Sequence, residues 1–173
     1  VAGGARGDGT AAMGVRGAAS GAPTTIEWVE ASGSEEALSE GRSLLEAGRY
    51  EEALQVLQES AKQAYAGEEG TFCYYIAAAY SGQQRTALAL RTLDRAPLEP
   101  QEPMYTDLVL LKGQLLLESL AFEDAWRLFD AELRRNPEGR FAQVLLILSS
   151  YSLRGMGKAE EARGALEQAV RLD

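Results

Sequence analysis

The residues best suited to chemistry are carboxylates in adjacent pairs: Glu35-Glu36, Glu51-Glu52, Glu68-Glu69, Glu123-Asp124 and Glu160-Glu161. Two carboxyl groups work as acid and base when they converge on one cleft from different elements. These are sequence neighbours, mostly where helices are expected to start. There an acidic side chain complements the exposed N–H groups and the positive end of the helix dipole. The chain has no histidine, which removes the commonest general base, the commonest metal ligand and every Ser-His or Cys-His arrangement. Cys73 is the single cysteine, so neither an internal disulfide nor a zinc site of the usual Cys/His kind can form. No enzymatic activity, cofactor or metal is expected.

What must be positioned, then, is surface rather than a reacting group. The 173 residues suffice for one domain with its own core, and 46% hydrophobic with 25% charged residues is a folded composition. A net charge of −9 argues against nucleic acid and against an anionic membrane surface. No run approaches the ~18 apolar residues of a membrane span, so direct membrane insertion is not expected. The chain begins at Val1 with no visible signal peptide, and reads as a processed or excised piece of something longer.

Residues 1–23 are Gly/Ala-rich and poor in large apolar groups, a composition that reads as an irregular linker or tail. Residues 24–30, Thr-Thr-Ile-Glu-Trp-Val-Glu, alternate β-branched or aromatic residues with polar ones, which predicts a short extended segment with Trp28 packing on the first helix. Ser32-Gly33-Ser34 before Glu35-Glu36 reads as an N-cap. The division expected is therefore 1–33, tail plus extended segment, and 34–173, helical domain.

Leu44 to Ser60 shows the unit from which that domain is built. An apolar helical run ends at Gly48, and a second begins with Tyr50, Glu51 and Glu52 ahead of Ala53, Val56 and Leu57 at helical spacing. The same hairpin recurs. Helices are predicted over 35–47 and 50–65, over 69–81 and 84–95 with Gly82-Gln83 as the turn, over 103–119 and 122–135, and over 139–154 and 158–172 through Gly155-Met156-Gly157. Short connections make each pair antiparallel. Ala53, Ala89, Ala125 and Ala162 hold one register, 36, 36 and 37 residues apart. Gly41, Ala77, Gly113 and Ser150 each stand twelve residues earlier, and Leu57, Leu93, Phe129 and Leu166 four residues after the alanines. Paired small residues at fixed separation mark a repeated close helix crossing.

This pattern resembles the tetratricopeptide repeat family, whose hairpins run about 34 residues. Gly41, Gly48, Tyr50, Ala53 and Leu57 carry it in the first repeat. Gly113, Phe122, Ala125, Phe129 and Pro137 carry it in the third, and Ser150, Gly157, Ala162, Leu166 and Ala169 in the fourth. The second is looser, with Gly82 two places early and Thr86 where an aromatic is usual. The resemblance implies an all-α, right-handed superhelical solenoid of antiparallel hairpins over 34–173. A second, shorter resemblance joins Gly14-Val15-Arg16-Gly17 to a strand of iron-dicitrate-sensor (FecR-type) domains of bacterial envelope proteins; it implies the remnant of a neighbouring domain and a periplasmic or envelope location.

Members of the repeat family bind peptides on the concave surface made by the first helix of each repeat. Carried onto this chain, the resemblance implies a groove lined by Leu38, Arg42, Leu45, Tyr74, Ala78, Ser81, Leu110, Gln114, Leu117, Ile147, Tyr151 and Arg154, bordered by Tyr75, Leu111 and Leu148. With only Arg42 and Arg154 cationic, a clamp for a C-terminal carboxylate is not assembled; an apolar peptide or partner helix suits the lining. The same residues could equally fill a narrow superhelix as core, and Met104, Tyr105 and Trp126 read as packing residues. Leu166, Ala169, Val170 and Leu172 are expected to leave an apolar edge, since a solenoid needs a solvated last face. The function expected is a protein-interaction scaffold. The alternatives are a self-assembling module, with groove and edge covered by another copy or by the N-terminal segment, and a carrier of a small apolar ligand.

Overall fold

The computed structural model describes residues 25–64, 67–96, 100 and 104–172, with the side chains of 25–32 left out. Among the described residues every regular element is an α-helix: α1 (Thr25–Glu46), α2 (Tyr50–Ala61), α3 (Glu69–Gly82), α4 (Thr86–Leu93), α5 (Tyr105–Glu118), α6 (Phe122–Arg135), α7 (Ala142–Gly155) and α8 (Ala159–Arg171). Consecutive helices pack on one another, giving four hairpins stacked into a tetratricopeptide-like solenoid. The first helices also touch in series, α1 with α3, α3 with α5 and α5 with α7, whereas no contact joins the second helices to each other. The array therefore has an inner layer of odd-numbered helices and an outer layer of splayed even-numbered ones.

Each hairpin closes by the same hydrogen bonds. The residue after the turn donates its N–H five residues back, Arg49 to Leu44, Arg85 to Tyr80, Ala121 to Leu116 and Lys158 to Leu153, at 2.8 to 2.9 Å. The residue before it takes a left-handed backbone: Gly48 at φ 72°, Gln84 at 59°, Leu120 at 60° and Gly157 at 77°. This is the Schellman closure of a helix C-terminus, in which glycine is the preferred left-handed residue. The second turn thus differs from expectation. Its left-handed residue is Gln84, and Gly82 belongs to the last turn of α3, where a Cβ would overlap the Tyr50 ring. Gly155 stands likewise against Phe122, while Gly157 makes the turn.

The small residues do close the crossings. Ala53, Ala77, Ala89 and Ala125 are fully buried. A Cβ at Gly41 would lie 2.5 Å from Leu57 Cδ2, and one at Gly113 would overlap the Phe129 ring. Ser150 fits because its hydroxyl donates to the Ile147 carbonyl at 2.6 Å. Around these crossings the core forms three clusters, centred on Leu57, Phe72 and Ile76, on Leu93, Leu108 and Leu115, and on Val109, Phe129 and Leu145.

The N-terminal expectation is corrected. Residues 25–30 are not extended: they are the first turns of α1, which runs unbroken through the boundary placed between 33 and 34. A helix pairs its own backbone groups, whereas a single strand beside a helical array has no ladder to join. Ser34 is accordingly no cap. It lies inside α1, buried, its hydroxyl without a hydrogen-bond partner among the described residues. Glu35 and Glu36 stand mid-helix rather than at a start. Residues 12–17, and with them the FecR-type resemblance, lie outside the described residues.

Candidate interaction surface

The inner layer presents the groove residues in two distinct states. Tyr74, Tyr75 and Leu110 are half-buried and packed into the three core clusters, Tyr74 and Tyr75 edge-on with ring centroids 5.2 Å apart. Burial raises the Tyr74 hydroxyl pKa above its ordinary value, with the nearby Asp107 carboxylate adding to the effect. Arg42, Gln114, Ile147, Tyr151 and Arg154 are exposed. Arg42 reaches Glu46 one turn on at 3.7 Å, and the Gln114 amide donates to Glu118 at 3.4 Å. So the positions one after the small residue line open surface, while those three before it are mostly shared with the core.

The structure brings together the C-terminal members. Tyr151 and Arg154 meet Leu117, Glu118, Phe122 and Gly155 around an open recess of about 610 Å³ between the third and fourth hairpins. Arg42 belongs to the first repeat and is not part of it; Gln114, one turn before Leu117 and Glu118 on α5, stands at its margin. Sequence reasoning missed Val144, which is exposed on α7 with Ile147 and Tyr151. The signal was available, since 144, 147 and 151 recur at three and four residues on one helix face. It was obscured because the matching positions of earlier repeats are Glu35, Thr71 and Asp107.

A larger recess, about 720 Å³, lies on the opposite side between α6 and α8, with Trp126 at its wall and Leu146, Ser149 and Leu153 at its floor. Leu146, Ser149 and Leu153 are buried, whereas Leu172 in the same lining is 45% exposed and Tyr151 on the α7 face is 55% exposed. Trp126 lies under the Lys158 ammonium at 5.5 Å. Tyr105 donates its hydroxyl to Glu132 at 2.6 Å and carries the Arg135 guanidinium 4.5 Å above its ring. Tyr105 packs against the third core cluster, while Trp126 lines the recess.

The carboxylate pairs stay apart. Glu51-Glu52, Glu123-Asp124 and Glu160-Glu161 occupy first turns of α2, α6 and α8. Glu52 accepts from Arg49 Nε at 2.7 Å, and that hydrogen bond holds its pKa below the usual carboxylate value. Among the described residues no His, Cys, Asp or Glu group could hold a metal ion, and no helix is long and apolar enough to cross a membrane.

No family model and no curated protein matches the chain. Solved structures do. One described as MamA 41-end from Desulfovibrio magneticus RS-1 superposes with a TM-score of 0.67 at 20% identity, covering 82% of this chain and 76% of that one. MamA MSR-1 C2 gives 0.64 at 23% identity over 81% of this chain and 76% of its own. A third, described as a crystal structure of MamA protein, gives 0.68 at 15% identity over 85% and 76%. At such identities these likenesses show the helical fold alone.

Proposed function

We propose that the chain is a non-enzymatic interaction scaffold that takes an apolar peptide or partner helix along its inner layer, centred on α7. The carrying observation is the stripe Val144, Ile147 and Tyr151, exposed apolar and aromatic residues at helical spacing beside the Leu117–Phe122 recess. Exposed aromatic anchors next to a pocket are the usual sources of binding energy at protein interfaces. Arg154 and Gln114 supply polar handles at the margin, and no reactive cluster competes with this reading.

A displayed library of random peptides, selected on the 173-residue chain, tests it. Apolar peptides should emerge whose affinity falls about tenfold or more in Tyr151→Ala, the equivalent of roughly 1.4 kcal/mol. Far-ultraviolet circular dichroism should be unchanged, because the residue is exposed. Peptides that bind Tyr151→Ala with undiminished affinity would refute the site.

A further inference from the structure

One position decides how each seam between hairpins is filled. It is the residue just before the small one in the incoming first helix: Ile76 of α3, Lys112 of α5 and Ser149 of α7. At the first seam Ile76 is buried in the cluster around Leu57. At the second, Lys112 keeps its side chain only 21% exposed and sets its ammonium 2.8 Å from the Asp94 carboxylate of α4. At the third the residue is a serine, too short for either role. There the recess of about 720 Å³ lies between α6 and α8.

The counterpart of Asp94 is present all the same. Asp130 follows Phe129 as Asp94 follows Leu93, and it lines the recess. Its ion pair is with Arg134 of its own helix at 2.9 Å, an arginine whose side chain is 77% exposed. A surface pair of that kind holds its carboxylate weakly. Ser149 is unsatisfied too. It is 4% exposed, and its hydroxyl makes no hydrogen bond among the described residues, whereas Ser150 and Ser152 beside it donate to carbonyls of their own helix at 2.6 and 3.1 Å. Buried hydroxyls are nearly always paired, so this one, at the floor of an open recess, calls for a partner that the described chain does not supply.

The rest of the lining selects the partner's chemistry. Trp126, Leu146 and Leu153 give it an apolar wall and floor. The carboxylates of Asp130, Glu138 and Glu161 outnumber the guanidiniums of Arg134 and Arg171, which favours a cation. The Trp126 ring already lies under one ammonium, that of Lys158 at 5.5 Å, and an indole face attracts such groups. Walls and floor belong to α6, α7 and α8, and at the two earlier seams the filling group comes from the incoming first helix rather than from chain beyond the array.

We infer that the α6–α8 recess is a binding site for a small primary alkylamine. Its ammonium takes the place on Asp130 that the Lys112 ammonium takes on Asp94, with the Ser149 hydroxyl oxygen as a further acceptor for its three donors. Its stem lies along Trp126, Leu146 and Leu153, as lysine stems lie along apolar surface. The volume is that of a small-molecule site, which favours a free amine over a lysine carried on another protein. The site is separate from the inner-layer stripe around Tyr151 and does not depend on it.

The probe is dansylcadaverine, a primary amine on an aliphatic stem, titrated by its fluorescence with the 173-residue chain. Salt at about 0.15 M screens the general attraction of an acidic chain for a cation. Saturable binding with a blue-shifted emission is expected. Asp130→Asn should weaken it about tenfold or more with helical content unchanged, and acetylating the amine of the probe should do the same. Asp94→Asn, at the seam that Lys112 fills, should leave it unaltered. Ser149→Lys, which supplies the tethered ammonium of the preceding seam, should abolish it while circular dichroism stays helical. Hexylamine should displace the probe at lower concentration than Nα-acetyl-lysine amide does; the reverse order would give the recess to a lysine side chain and overturn the free-amine assignment. No saturable binding, indifference to Asp130→Asn or to acetylation, equal weakening by Asp94→Asn, or a helical Ser149→Lys chain that still binds would overturn the site.

Discussion

Alanine at two helical glycines should change stability in opposite directions. In a helix interior alanine is favoured over glycine by about 1 kcal/mol. At Gly164, in α8, nothing lies within 4 Å of a new Cβ. Gly164→Ala should therefore keep most of that gain, about 0.5–1 kcal/mol, and raise Tm by about 1–4 °C. At Gly113, in α5, the new Cβ would overlap Cε1 and Cζ of Phe129 and lie 3.3 Å from its Cδ1. Phe129 is fully buried among Val109, Ala125 and Leu145, so the ring cannot simply tilt away. Parting the helices costs about 1–3 kcal/mol as overpacking; expelling the ring exposes a phenyl group at about 2–3 kcal/mol. Subtracting the propensity gain leaves Gly113→Ala less stable than the parent by up to about 2 kcal/mol, or up to about 8 °C in Tm, and less stable than Gly164→Ala by either route. Urea and thermal unfolding followed by circular dichroism would measure both. Phe129→Leu should shrink the penalty of Gly113→Ala, because the overlapping atoms are gone. A Gly113→Ala variant as stable as Gly164→Ala would refute the close crossing, and with it the assigned repeat register.

Leu120→Gly should stabilise the chain by about 0.5–1 kcal/mol: relief of the left-handed backbone exceeds the extra unfolded-state entropy. Leu120 is 71% exposed and gives up little burial, so a lower urea midpoint would argue against the strained turn. Burial, with Glu69 adding to it, pushes the Cys73 thiol pKa above its ordinary value. Alkylation of Cys73 should therefore reach half-maximal rate at a higher pH than free cysteine does. The raised folded-state pKa also means that its contribution to stability is complete below the unfolded thiol pKa and is lost as pH rises through the folded one; a rate profile matching free cysteine would show the thiol to be solvated.

The repeat was legible because close crossings demand small residues, and Gly41, Ala77, Gly113 and Ser150 recur at almost constant separation with their alanines. The turns were legible only where glycine makes them. Gln84 and Leu120 adopt the same left-handed state without the residue that advertises it. The start of α1 was lost because the seven residues 24–30 fit a strand and a helix equally in sequence, and only the missing sheet partner decides. The surface was legible in part. A residue three before the small position lies on the inner side, but neighbouring first helices pack tightly enough that Tyr74 and Leu110 become half core. Ile147 stays open because no further helix lies against α7 on that side among the described residues.

The 36-residue register also conceals a longer one. In the first and third hairpins the second helix begins with an aromatic ring, Tyr50 or Phe122. In the second and fourth the first helix ends in a glycine, Gly82 or Gly155, that admits the preceding ring. At the remaining seam the corresponding residues are Thr86 and Glu118, which have neither ring nor gap. That seam has the Lys112–Asp94 pair in place of the ring, beside the apolar contact of Leu93 with Leu108 and Leu115 that Leu57 and Phe129 also make at theirs. The array is thus two ring-locked pairs of hairpins joined through a cation and a carboxylate. The fourth repeat follows that joint rather than the locks: Ala159 stands in the aromatic position and Glu167 in that of Asp94.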